Sequence, residues 1–194
     1  MKEVIANHSV KLFEQKGFSE TSIQDITNSV GVTKGTFYYY YASKENLLMD
    51  IHLQYICDLL EKQRAILQTV KGYRSQLSEI VALILYDMKY RGAHGRVYFR
   101  EMRNLTPEHA EKIKGKREEF RRNIACLIKD GVQAREFRER LNPEITSLAI
   151  LGMTNWSYQW FDPQGEMSVE ELAELYIEFI FNGIAAQGSG SDEI

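Results

Sequence analysis

The sequence has few of the features that stabilise or target a chain by special means. Cysteine occurs twice in 194 residues, at Cys57 and Cys126, far apart and without CxxC or His-rich spacing. Disulfide, metal and redox-motif chemistry therefore lack support, and two partly buried thiols in a reducing compartment are expected. Proline occurs three times, and apolar residues recur at i, i+3 and i+4, which points to helices with short connections. The longest apolar run, Ile80 to Tyr86, is too short to span a bilayer. No charged-then-apolar leader precedes the first helical pattern, so a cytoplasmic protein without a membrane partner is expected. Positive charge is not in excess either: 24 lysines and arginines face 27 acids, for a net charge of −3.

What is present reads as an all-α chain of about nine helices, with no strand-like alternation long enough for a sheet and no internal repeat. Val4, Ile5, Leu12 and Phe13 mark one face of a first helix that stops at Gly17. Thr21-Ser22-Ile23-Gln24 reads as a capping box opening a second helix that stops before Gly31. Thr33 caps a third helix from Lys34, and Ser43 caps a long fourth one with Leu47, Leu48, Ile51 and Leu59 inward. Further on, Gly92-Ala93-His94-Gly95 reads as a break before a short helix, with His94 and His109 as surface residues. Thr106-Pro107-Glu108 and Asn142-Pro143-Glu144 are start signals, and Ser168-x-x-Glu171 is a capping box for the last helix, expected to run to Ala186. The terminal GSGSDEI has the composition of a flexible tail.

The informative stretch is Thr21 to Leu47. Two short helices joined through Ser-Val-Gly-Val form a helix-turn-helix, with Gly31 permitting the tight turn. The second helix is about two turns long and carries Lys34, Gly35, Thr36 and four consecutive tyrosines, Tyr38 to Tyr41. Each step rotates about 100° around a helix, so four tyrosines in a row cannot share one buried face. Phe37 and Tyr41 suit a core. The remaining rings mark a binding surface. From Met1 to Leu47 five lysines balance five acids, so any grip on phosphate must come from local placement of lysines, hydroxyls and helix N-termini.

These residues carry a family resemblance. GVTKGTFYYYYASKENL, residues 31–47, resembles the TetR family pattern in its glycines, aromatic spacing and Lys-Glu pair, and LFEQKGFSETSIQDI resembles the family's first two helices. The likeness covers about the first quarter of the chain. It departs at Tyr41, where Phe is usual, and at His8-Ser9, where small residues are usual. The resemblance implies a three-helix DNA-binding domain at 1–46, a ligand-binding and dimerisation domain at 47–187 and a tail at 188–194. It implies that Lys34, Gly35, Thr36, Tyr38, Tyr39 and Tyr40 enter the major groove or grip its phosphates. Thr33, at the start of the same helix, joins that set. Lys44, Thr21 and Ser22 would add phosphate contacts at the N-termini of the fourth and second helices.

Beyond the fourth helix the resemblance implies a two-fold dimer, suited to a palindromic operator, built from the last two helices. Leu148, Leu151, Leu172, Leu175 and Phe179 are the expected interface. Tyr86, Phe99, Met102, Phe120, Ile124, Met153, Trp156 and Trp160, with Arg100 and Arg103 as a cationic mouth, would line a pocket for an amphipathic anion. Residues 152–184 are similar to TetR-like regulators of fatty-acid and sterol catabolism that respond to acyl-CoA, so a repressor released by such a ligand is expected. No cofactor or metal site is expected. Two other readings stay open: a TetR-like sensor of cationic drugs, which needs acids among the aromatics, and an enzyme using the same pocket. No nucleophile–base pair, paired carboxylates or phosphate-binding glycine loop supports the last.

Overall fold

In the computed structural model, which describes residues 1–182, the chain forms eight α-helices and one short 3₁₀ turn. They are α1 (Lys2–Lys16), α2 (Ile23–Val30), α3 (Lys34–Tyr40), α4 (Lys44–Thr69), α5 (Tyr73–Arg100), the turn Met102–Asn104, α6 (Pro107–Gln133), α7 (Pro143–Trp160) and α8 (Val169–Asn182). There is no strand among the described residues. The expected tail at 188–194 and the end of the last helix lie outside them.

Local signals set most boundaries. The hydroxyls of Thr33, Ser43 and Thr106 and the side-chain oxygen of Asn142 each accept from a backbone N–H in the first turn that follows. Ser168 and Glu171 form the expected capping box of α8. At α2 the box is shifted by one residue: Ser22 is the cap and Asp25 its partner. Gly31 ends α2 in a left-handed conformation, φ 76° and ψ 34°, which turns the chain into α3.

The head is α1 to α3 packed on the start of α4 around Ile5, Phe13, Ile26, Phe37 and Leu47, all fully buried. The expected junction at 46/47 falls inside the first turn of α4, a helix shared by both halves. The larger half packs α4, α5, α6 and α7 together, with α8 lying against α5. Gln63 of α4 donates to the Phe120 carbonyl of α6 at 3.0 Å and accepts from Asn123 at 2.8 Å, so this buried amide is satisfied.

The expected break at Gly92–Gly95 falls one residue earlier, as a kink at Arg91 (φ −132°, ψ 27°) where helical geometry is lost, and the short helix expected after it is the segment of α5 that follows the kink. Gly95 serves packing: a Cβ there would stand 2.1 Å from the Tyr158 ring. His94 and His109 are half-buried rather than surface residues, and Cys126 is exposed while Cys57 is partly buried.

Candidate functional site

Two regions stand out, a protruding face on α3 and a cavity in the larger half. On α3, Phe37 points into the head core while Lys34, Gly35, Tyr38 and Tyr39 are exposed, Tyr39 by 82%. Thr36 and Tyr40 are half-buried beside them. The Tyr39 and Tyr40 rings meet edge to face at 4.9 Å, and Tyr38 sets its ring edge to face with Phe37 at 5.6 Å. Tyr41 has turned away from this face. It is buried and donates to Asp50 at 3.0 Å, and burial, then Asp50, pushes its phenol far up. Lys34 has no ion-pair partner among the described residues.

Two expected phosphate contacts are occupied elsewhere. The Thr21 side chain is buried and its hydroxyl donates to the Gly17 carbonyl at 2.8 Å, so it closes the α1–α2 loop. The Lys44 ammonium donates to the carbonyls of Phe18 at 2.7 Å and Thr21 at 2.6 Å and lies 4.3 Å from the Phe18 ring centroid. Burial pushes its pKa below the usual lysine value. Both residues build the head rather than its outer face. Ser22 is exposed, but its hydroxyl is engaged by Asp25.

The cavity, about 620 Å³, lies between α4, α5, α6 and α7. Its inner wall is aromatic and aliphatic, with Tyr55, Leu59, Ile84, Phe99, Phe120 and Tyr158. Of the expected lining, Phe99, Phe120 and Trp156 are there; Tyr86, Met102, Ile124, Met153 and Trp160 are not. Ile124 is fully buried in the core and Trp160 is half-exposed on the outside of α7. The expected cationic mouth is corrected too. Arg100 reaches the Phe13 and Glu14 carbonyls of α1 and the carboxylate of Glu101, and Arg103 is exposed away from the cavity. The cations at the rim are Lys114, Arg117 and Arg121, spaced along one side of α6. Arg121 is held by Glu118 and Glu144; Arg117 has no carboxylate within 4 Å among the described residues and stands 5.8 Å from the Tyr98 and Phe99 ring centroids. A signal was present in the sequence: Arg117 sits four residues after Ile113 and three before Phe120, on their face.

The expected dimer residues divide. Leu172 is buried in the core, Leu148 and Leu151 line the cavity, and Leu175 and Phe179 are half-exposed on α8.

Head and cavity are joined by ionic contacts that sequence reasoning missed. Arg96 of α5 pairs with Glu14 of α1. Glu45, in the first turn of α4, accepts from the Thr106 N–H at 3.0 Å and meets the His109 ring at 2.8 Å. Burial raises the Glu45 pKa, but the bonds from Thr106 and His109 outweigh it and hold the carboxyl low.

Comparison with known proteins decides the lineage. The family "Bacterial regulatory proteins, tetR family" matches residues 5–51, and "Tetracyclin repressor-like, C-terminal domain" matches residues 71–184. The chain belongs to the TetR family. It is 25% identical over 177 residues to the HTH-type transcriptional repressor KstR2 of Rhodococcus jostii, covering 90% of this chain and 86% of that one. The TetR regulator PfmR of Thermus thermophilus superposes with a TM-score of 0.88 at 26% identity, over 94% of this chain and 99% of that one. AibR, solved with isovaleryl coenzyme A and operator DNA, superposes with a TM-score of 0.82 at 24% identity, over 93% and 97% of the two chains. No helix among the described residues is long and apolar enough to cross a membrane.

Proposed function

We propose that this TetR-family chain is a homodimeric transcriptional repressor that binds a palindromic operator through α3 and is released by an amphipathic anion, an acyl-CoA, held in the α4–α7 cavity. The observation that carries the DNA half is the outward set of Lys34, Gly35, Thr36, Tyr38 and Tyr39 on a helix whose Phe37 is locked in the core. A lysine can take phosphate or a guanine edge, and the hydroxyls and rings can meet phosphate and thymine methyls. Thr33 and Tyr40 flank this set.

The ligand half rests on an apolar wall beneath a rim that carries Lys114, Arg117 and Arg121 against one acid, Glu118, which Arg121 already engages. That balance suits an anion and disfavours the cationic-drug reading. KstR2 is named a repressor and AibR holds isovaleryl coenzyme A with its operator, two relatives that agree with this reading. Phe99 faces the cavity three residues from Arg96 and one from Arg100, the two side chains that hold α1. A ligand that moves the end of α5 therefore moves the head.

The test is a mobility shift with DNA from the gene's own upstream region, with and without isovaleryl-CoA and with free CoA as the control. Specific binding that acyl-CoA abolishes and CoA does not is the expected result. Specific binding indifferent to a panel of acyl-CoAs would remove the ligand class and keep the regulator.

A further inference from the structure

A second cleft, about 320 Å³, lies where the head meets the larger half, between α1, α4 and α5. It shares no lining residue with the α4–α7 cavity. Ala6 and Ile51, both buried, give it a small apolar floor. Its other groups are polar: the amides of Asn7 and Gln54, the ring of His94, and the pair Asp58 and Arg91. This reverses the balance of the larger cavity, whose inner wall is aromatic and aliphatic.

The charges around the cleft cancel. Arg91, at the kink of α5, donates from Nη1 to Asp58 at 3.0 Å and lies 3.9 Å from the buried carboxylate of Asp87. Further along α5, Arg96 is taken up by Glu14. Burial, then Arg91, lowers the His94 pKa, so this ring is neutral at pH 7. An anion entering here meets Asp58 and Asp87, and a cation meets Arg91, so neither sign finds an unengaged partner. Hydrogen-bonding capacity is what the cleft has to spare. Asn7, Gln54 and His94 make no side-chain hydrogen bond among the described residues. Each amide offers two donor hydrogens and an acceptor, and a neutral imidazole offers one of each. Such groups both give and take, as a hydroxyl does. Water satisfies them too, but only a molecule with C–H surface also gains from the floor of Ala6 and Ile51.

We propose that this cleft is a second ligand site, which binds a small uncharged polyhydroxylated molecule of monosaccharide size. Its hydroxyls pair with Asn7, Gln54 and His94, and its C–H face lies on Ala6 and Ile51. The bound molecule touches α1 of the head and α4 and α5 of the larger half at once, and so opposes movement of one against the other. The site is independent of what the α4–α7 cavity holds.

Titration of the full chain with D-glucose, D-galactose and myo-inositol, followed by calorimetry and by the ring-proton resonances of its histidines, tests this. At least one of the three should bind with a dissociation constant of about 1 mM or below. It should shift the His94 resonances, identified as those missing from His94→Gln, and leave in place those of His109, which meets Glu45. Asn7→Ala and Gln54→Ala, at exposed positions, should keep the melting temperature of the wild type. Each should weaken binding by roughly threefold to tenfold, the effect of one neutral hydrogen bond. Arg117→Gln, at the rim of the other cavity, should bind the sugar as the wild type does. D-gluconate and D-glucosamine, charged counterparts of glucose, should bind more weakly than the best neutral probe. No binding by any neutral probe well above that concentration would overturn the site. Binding that ignores both amide variants, or that only Arg117→Gln weakens, would overturn it as well, the latter by moving the sugar to the larger cavity. A charged counterpart that binds more tightly than every neutral probe would overturn the ligand class.

Discussion

The hydroxyls of Tyr55 and Tyr158 meet at 2.7 Å in the wall of the cavity, and Tyr158 donates its proton to Asp87 at 3.2 Å. Tyr55 is therefore the donor to Tyr158, and the chain ends on a buried carboxylate whose second oxygen has no hydrogen bond. This order makes the two tyrosines unequal. Tyr158→Phe strands both the Tyr55 hydroxyl and Asp87, whereas Tyr55→Phe removes one donor and leaves the bond to Asp87 intact. Urea unfolding should show a loss of about 3 kcal/mol for the first and about 1 kcal/mol for the second. Equal losses would contradict the assigned direction.

Lys34 and Lys44 should separate binding from stability. Lys34→Ala is expected to weaken operator binding and, if the lysine meets a phosphate, to reduce the slope of log affinity against log salt by about one. Lys44→Ala leaves the carbonyls of Phe18 and Thr21 without their donor. It should cost about 2 kcal/mol of stability and leave the salt slope unchanged. Salt-dependent mobility shifts beside thermal melts distinguish the two.

The contrast between these lysines shows what could be read from the sequence. The head was legible because its signals are local: hydroxyl caps, a left-handed Gly31 and a phenylalanine among tyrosines. The engagement of Lys44 inside the head is not legible, because its three carbonyl partners lie more than twenty residues earlier in the chain. The cavity failed in the same way. Spacing shows that Phe99 and Phe120 lie on apolar faces, but not which helix each face meets, so Arg100 and Arg103 stood in for Arg117 and Arg121. The packing role of Gly95 is not legible in the sequence, because the ring that needs its space, Tyr158, belongs to another helix.

Arg117 is the rim cation with no acid to hold it. Arg117→Gln should therefore lower isovaleryl-CoA affinity about tenfold or more, the effect of losing one charge-assisted contact, with little change in melting temperature. Arg121→Gln should do more to stability, because Glu118, Glu144 and Ser147 lose a common partner. Calorimetric titration paired with melting curves checks both. An unchanged affinity in Arg117→Gln would move the anion away from α6.

His52 places a pH dependence in the core. Its ring is fully buried, Nδ1 meets the Leu48 carbonyl at 2.9 Å and Nε2 has no partner. Burial, opposed by backbone hydrogen bonds, pushes its pKa down to about 4 from 6.5. Between these values the unfolded chain takes up a proton that the native chain refuses. The stability is complete above pH 6.5 and falls as pH drops toward 4, by roughly 3 kcal/mol in all. His52→Phe retains a ring against Tyr98 and cannot titrate, so wild type should lose stability relative to it across this window. Parallel pH profiles would refute the assignment.

Arg96 offers a test of how the cavity speaks to the head. Its guanidinium pairs with Glu14 of α1 from the same turn of α5 that puts Phe99 on the cavity. Arg96→Met cuts this tie and leaves both α3 and the cavity lining as they were. The unliganded variant should bind the operator nearly as well as wild type, while the loss of operator affinity on adding isovaleryl-CoA shrinks. Reciprocity then requires that the operator's effect on isovaleryl-CoA affinity shrink by the same factor, because both report one coupling free energy. Two titrations, each ligand measured with and without the other, check this internally. A coupling factor equal to that of wild type would shift the connection from α5 to the contact of Glu45 with Thr106 and His109 at the start of α4.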